Sequence, residues 1–547
     1  MDQRPVSETA ADAERKGAPS WRLAKPIDGQ TQALVVSGFA SLPTGRALFL
    51  EFIWKGDKGG NEGGGGAWLQ ALQKVAPVTD ADGRKEKAAA LSFAHTGLVK
   101  MGLPQAALDS FAAPYKEGML QEDRLRRLGD RRKGKWLETV IDGGPKWSAN
   151  TPQRDALTDV EAGQSQSKTA TGHREEQIRT KITVHALLLL YDVSEASVDA
   201  WVKQVEAALE PHGVKLVHQL PLELMLDDKG TAREHFGFAD GISQPNPYDA
   251  DGAVVASNGG PPAPDKWNGV PLGEIVFGYT NGHHEKAPGP LLPDDKDGRG
   301  RAAGLEPHPL AEGFLDLGIN GSYMVVRELK QDVVAFWKSM REGAALIRAR
   351  DPEHSGHVTT TWLAERAVGR NTRGDLLCPT GYLPPNAYDQ PENDFGFYDR
   401  DLHGFGCPAG SHVRRANPRD GLAPTPDQKA TLLESANNHR ILRRGRKYGS
   451  VISIPPVEDH VDRGLLFICL NTDIARQFEF VQQTWMFNPN FAVLFDETDP
   501  LIGPRGTMTV REKPLRRRIE VETFVKLAGG DYFFLPSMPA LRYLASL

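Results

Sequence analysis

The chain has 547 residues, of which 39% are hydrophobic and 25% charged, and a formal net charge of -6. This supplies apolar material for a sizeable core and, by length, for two to four domains, and the mild acidity gives no electrostatic reason to expect nucleic-acid binding. Its three cysteines, Cys378, Cys407 and Cys469, form no C-x-x-C pair, which argues against a disulfide framework or a Cys-rich zinc site and fits a reducing, cytoplasmic setting.

The opening MDQRPVSETAADAERKGAPS has no apolar stretch of the secretory kind, so residues 1–25 are expected to form a disordered tail. QALVVSGF (32–39) and RALFLEFIW (46–54) predict two strands. KGDKGGNEGGGG (55–66) lacks the Gly-Lys-Ser/Thr ending of a phosphate-binding loop and reads as a surface loop. AWLQALQKV (67–75) resumes a helical pattern.

VHALLLLYDV (184–193) predicts a buried strand, and its apolar run is too short to cross a bilayer. Val198, Trp201, Val202, Val205 and Leu209 then form one stripe on a helix, and VKLVHQLPLEL (214–224) returns as a strand. The second half repeats this order. GSYMVVREL (321–329) precedes the helical QDVVAFWKSM (331–340). GLLFICLNT (464–472) precedes DIARQFEFVQQTWM (473–486), with Ile474, Phe478, Val481 and Trp485 on one face, and GDYFFLPS (530–537) closes as a strand. Strand–helix–strand units in both halves predict an α+β protein of two related domains, divided near residue 226. The Pro-, Gly- and Asp-rich stretches at 250–310 and 345–405 read as loops.

Three segments carry chemistry. FGFADGISQP (236–245) sets Asp240-Gly241 among Phe236, Phe238 and Ile242. Such a pair is most often only a turn, but a carboxylate balanced between apolar surroundings and a cation is an acid–base candidate. GCPAGSHVRRANPR (406–419) places His412 before Arg414, Arg415 and Arg419; it reads either as a structural histidine in a basic surface or as a ligand beside an anion-binding cluster. HRILRRGRKYGS (439–450) holds Arg440, Arg443, Arg444 and Arg446. It is either a solvated basic run or a strand with one face buried, on which Ile441, Arg443 and Gly445 share a side.

Together these segments resemble the dye-decolorising peroxidase family. FGFADGISQP is similar to its G-x-x-D-G motif, GSHVRRANPR to its proximal-histidine segment, and RILRRGRKYG to its distal-arginine segment, although Lys447 stands where family members often have Pro. FAHTGLVKMGLP, GEIVFGYTNG, GSYMVVRELKQDV, GLLFICLNTDIARQFEFVQQTW and DYFFLPS extend the resemblance over most of the chain from about residue 30, with spacing like that of the longer members.

The resemblance implies two ferredoxin-like domains, each an antiparallel sheet with packed helices, spanning 26–225 and 226–547, with haem b held mainly by the second. It implies a peroxidase that uses hydrogen peroxide to oxidise dyes and phenolic compounds at acid pH. His412 would ligate the iron, since haem needs only one protein ligand. Asp240 and Arg443 would act on peroxide, and Arg419 would meet a propionate. Gly241, Ile242, Ser243 and Gln244 would pass the haem edge. Asp496 would be the carboxylate behind His412, and Arg440 would stand near Arg443. Hydrogen peroxide and an organic reductant are the expected partners, with no nucleic acid and no membrane. Two rivals are a haem carrier, sensor or iron-releasing protein, which needs His412 but not Asp240 and Arg443 together, and a non-catalytic protein of the same fold. The C-terminal PALRYLASL reads as a structural terminus or as a docking tail for a protein shell.

Overall fold

Two sets of apolar strands supply the core. The computed structural model describes all residues except 1–20, 55–64, 83–85, 150–179, 228–229, 250–254, 258–264, 288, 295–301, 303, 379–392 and 513–514. Most of the expected tail and of the glycine-rich loop therefore lie outside the described residues.

The first set is β1 (Thr44–Phe52), β2 (Ala88–Phe93), β3 (Ala186–Asp192) and β4 (Val214–Glu223). Helix α1 (Ala67–Val75) lies in the chain between β1 and β2, and α2 (Glu195–Leu209) joins β3 to β4. The strands stand in the order β4-β1-β3-β2 and pair antiparallel. The second set is β5 (Ser322–Gln331), β6 (Leu442–Arg443), β7 (Arg446–Tyr448), β8 (Gly464–Asn471) and β9 (Val525–Leu535). Helix α3 (Val333–Arg350) follows β5, and a π-helical stretch (Ala475–Glu479, Val481–Met486) follows β8. Here β6 and β7 both pair with β8, β8 with β5, and β5 with β9.

The two sets meet at both edges. Lys447 of β7 pairs with Glu223 of β4, and Phe534 of β9 with Phe93 of β2, so the sheet closes on itself and leaves these strands no free edge. Both faces are buried. Alternate residues such as Phe49, Leu187, Val326, Ile468 and Phe533 fill one cluster, while Leu48, Leu188, Val325 and Phe534 pack with α1 and α2 in another. This explains the continuous apolar runs of the sequence.

Three expectations are corrected. Trp21–Leu23, inside the expected tail, is a strand that pairs with Val255–Ser257 and buries Trp21 and Leu23. QALVVSGF forms turns rather than a strand: the carbonyls of Leu34 and Val35 accept from Arg444, and those of Gly38, Phe39 and Leu42 accept from Arg446. Guanidinium donors there take the place of a neighbouring strand. The stretch at 475–486 is π-helical, although Phe478, Val481 and Trp485 are buried as their spacing predicts. At the C-terminus, α5 (Met538–Leu544) buries Leu541 and Leu544, which supports the structural reading of PALRYLASL.

Candidate active site

His412 opens the short helix α4 (His412–Ala416), and the arginines that follow it bolt that helix in place. The Arg414 guanidinium donates to the carbonyls of Asp401, Cys407 and Leu402. Arg415 is fully buried and donates to the carbonyls of Gly410, Trp485, Met486, Asn488 and Glu497. These two cations are spent on backbone, so neither forms a solvated face nor is free to bind an anion.

His412 Nδ1 lies 3.1 Å from Asp499 Oδ2. Asp499 is buried, and its Oδ1 also accepts from the backbone N–H of Leu501 and Ile502 at 2.9 Å each, so the carboxylate is oriented before any ligand arrives. Burial opposes charge on both groups, but their mutual attraction wins: the Asp499 carboxyl is held below its ordinary range and the His412 imidazole above its own. Nε2 of His412 makes no hydrogen bond among the described residues, and the side chain keeps 28% exposure. Asp496, the expected partner, is instead an exposed acid three residues upstream, with only its carbonyl engaged among the described residues, by Thr507.

Asp240 and Arg443 come together from separate segments. Arg443 Nη1 lies 3.6 Å from Asp240 Oδ1, a loose pair with both side chains more than a third exposed. Arg443 is fixed through its backbone: its N–H donates to Gln244 Oε1 and its carbonyl accepts from Gln244 Nε2, both at 3.1 Å. Its guanidinium also donates to the Ser243 carbonyl at 3.4 Å. Gln244 and Ser243 thus hold the arginine. Asp240 Oδ1 accepts from the N–H of Gly241, whose φ of +79° is costly for a residue with a Cβ. Ile242 is part-buried beside them. The charge of Arg443 is also felt at His412.

No family model matches the chain. It is 30% identical over 383 residues to the multifunctional dye peroxidase DyP2 of an Amycolatopsis species, covering 66% of this chain and 71% of that one. The chain belongs to the dye-decolorising peroxidase family. The dye-decolorizing peroxidase msp1 of Mycetinis scorodonius is 26% identical over 392 residues, 67% of this chain and 66% of the relative. The DyP-type peroxidase structure from Anabaena superposes with a TM-score of 0.63 at 22% identity, over 95% of this chain and 94% of that one, and shares the fold.

Dye-decolorising peroxidases are haem enzymes, and the residues here suit an anionic porphyrin. Arg440 is buried, yet neither of its terminal nitrogens finds a partner among the described residues; the same holds for both amide atoms of Asn417. Burial, then the neighbouring Arg443, push Arg440 down to about 10. Burial, then Arg440 and Arg370, push Arg419 down to about 9. Buried cations that repel one another indicate an anion in the working state. Arg419 itself is engaged: it donates to the Phe395 carbonyl at 3.0 Å and Asn393 Oδ1 at 2.9 Å, and stacks on Phe395. Arg440 is therefore the less committed of the two.

Sequence reasoning missed Asp499 and Glu234. In the first case DETDP offers several acids; the signal was Asp-Pro followed by two N–H groups that an aspartate can cap. Glu234 folds the motif loop around itself, its carboxylate accepting from the N–H of Phe236 and Phe238, at 2.8 and 3.0 Å. Burial raises it to about 7, with the charge of Asp240 adding to the rise. It lines a cavity of about 580 Å³ with His235, Gly237, Trp337 and Thr372. His412, Asp240 and Arg443 do not line this cavity, which lies behind the motif loop rather than at the chemistry.

Proposed function

We propose that this protein is a haem peroxidase that uses hydrogen peroxide to oxidise dyes, phenolics and similar organic reductants, best at acid pH. The observation that carries this reading is the Asp240–Arg443 pair at 3.6 Å, combined with a histidine backed by a buried carboxylate. A haem carrier or sensor needs the histidine but does not need that pair.

The fold reading is two ferredoxin-like halves, 26–225 and 226–547. It is supported by the strand orders, β4-β1-β3-β2 in the first half and, reading β6 and β7 as one strand, the equivalent order in the second. The second half would hold the haem, since His412, Asp499, Arg440, Arg443 and Asp240 all belong to it. No C-x-x-C-H attachment motif is present, which favours non-covalent haem b. The three cysteines are free and buried, in keeping with a reducing, cytoplasmic location. No helix among the described residues is long and apolar enough to cross a membrane.

His412 Nε2 would ligate the iron, with Asp499 fixing the ring's orientation and raising its basicity. Arg440, with Arg419 behind it, would meet the propionates, and Gly241 and Ile242 would pass the haem edge. The haem supplies the redox chemistry when bound. Asp240, on a loop held by its own backbone contacts, accepts a proton from one peroxide oxygen and returns it to the other. Arg443 donates hydrogen bonds to the negative charge that develops as the O–O bond breaks. Oxidation of an anthraquinone dye by the haem-loaded protein, with Asp240→Ala and Arg443→Ala beside it, tests this. Retained haem with no peroxide-dependent turnover of dye, phenol or other reductant in wild type would sink it.

A further inference from the structure

The cavity behind the motif loop takes no part in the peroxide chemistry. Its volume of about 580 Å³ lies within the range of small-molecule sites, roughly 300–1,000 Å³. Its walls hold the loop that carries Asp240. Trp337, which lines it, donates from Nε1 to the Phe236 carbonyl at 3.1 Å and stacks on Phe238, with ring centroids 6.3 Å apart and planes 11° apart. Thr372, also in the lining, accepts at its carbonyl from the N–H of Ala239 at 3.1 Å. A molecule seated here packs against the back of that loop.

The lining selects what fits. Leu226, Val451 and Ile454 are 45%, 67% and 42% exposed, an apolar rim open to solvent. The ionic groups are matched among themselves. Arg233 gives Nε and Nη2 to Asp227, and Nη1 to the carbonyls of Gly237 and Thr372. Glu234 accepts from the N–H of Phe236 and of Phe238 and from the Gln331 amide. These pairings leave no charge over for an ionic ligand. Trp337 has spent its one donor on Phe236, so it offers the ring alone.

His235 is the exception. It keeps 3% exposure, and its Nδ1 has no hydrogen-bond partner among the described residues. Its Nε2 lies 2.9 Å from the Tyr448 carbonyl, which can only accept, so the ring proton belongs on Nε2. Burial pushes the imidazole down to about 4. Above that pH the ring is neutral, and Nδ1 is a buried lone pair in want of a donor.

We propose that this cavity binds a small, uncharged, hydroxylated aromatic molecule, with its ring against Trp337 and its O–H donating to His235 Nδ1. The site is separate from His412, Asp240 and Arg443, none of which lines it. Phenolic reductants belong to this ligand class, and only that link to the reaction rests on the function proposed above.

The test uses the full-length, haem-loaded protein without peroxide, and fluorine NMR of two probes, para-fluorophenol and para-fluorotoluene. Wild type should bind the phenol saturably. Thr361 lines the cavity from an exposed position on the helix Thr360–Val368, so Thr361→Trp should fold, block the entrance and lose binding of both probes. In His235→Phe the affinity for the phenol should fall about fivefold or more, the worth of one buried hydrogen bond, while that for the toluene, which has no O–H, should hold. The site assignment is overturned if wild type does not bind the phenol saturably, or if Thr361→Trp binds both probes as wild type does. Recognition of the hydroxyl by His235 is overturned if His235→Phe weakens the two probes equally or weakens neither. If binding holds but wild type turns over no phenol with peroxide, the site stands and the proposed peroxidase function is what fails.

Discussion

His412 and Asp499 form one unit: an imidazole Nδ1 at 3.1 Å from a carboxylate whose other oxygen is anchored by two backbone N–H groups. A ring held in this way presents Nε2 in one tautomer and one orientation.

Asp499→Asn should therefore weaken haem affinity or peroxide turnover by roughly 10- to 100-fold, the usual cost of losing such a partner. Asp496→Ala, on the exposed residue upstream, should leave both unchanged. Haem titration and steady-state kinetics on the two variants decide it; equal losses would refute the assignment.

Arg443→Ala and Asp240→Ala should each lower the rate of reaction with peroxide by about a hundredfold or more while the haem absorption band is kept. Gln244→Ala should act in the same direction but less strongly, because it frees the backbone of Arg443 rather than removing the guanidinium. Stopped-flow mixing with hydrogen peroxide measures all three.

Arg440→Met should separate folding from cofactor binding. The apoprotein should be as stable as wild type or more so, since an unpaired buried cation is gone. Haem affinity should fall, because the guanidinium with no other partner is lost. Thermal unfolding without haem, and transfer of haem to an acceptor protein, give the two numbers.

Glu234 makes stability depend on pH. Its folded value of about 7 lies above the unfolded one, so the folded state holds more protons between roughly pH 4.5 and 7, and stability falls as pH rises through that window. Because the residue keeps some solvent contact, the swing is taken as about 2 kcal/mol. Glu234→Gln should flatten unfolding midpoints across this range; an unchanged slope would show that the carboxyl titrates normally.

How the arginines divide could not be read from the sequence. HVRRANPR and RILRRGRKYG look like continuous basic runs, yet Arg414, Arg415, Arg444 and Arg446 are consumed by backbone carbonyls, and Arg440 and Arg443 are not. Carbonyl partners for Arg444 and Arg446 lie some 400 residues away in the chain, and no local pattern encodes them.

The sequence by itself determined most of the core strands, the stripe of α2 and the segments that bear the chemistry. Apolar runs and 3.6-residue stripes are local consequences of burial, and Asp240, His412 and Arg443 stand in motifs that survive being read in one dimension. Tertiary structure alone decided which acid backs His412 and which cations remain for an anion. Each depends on segments distant in the chain packing together, as the sheet edges do at Lys447–Glu223 and Phe534–Phe93. Electrostatic roles follow distance and burial, which are set only once remote segments pack.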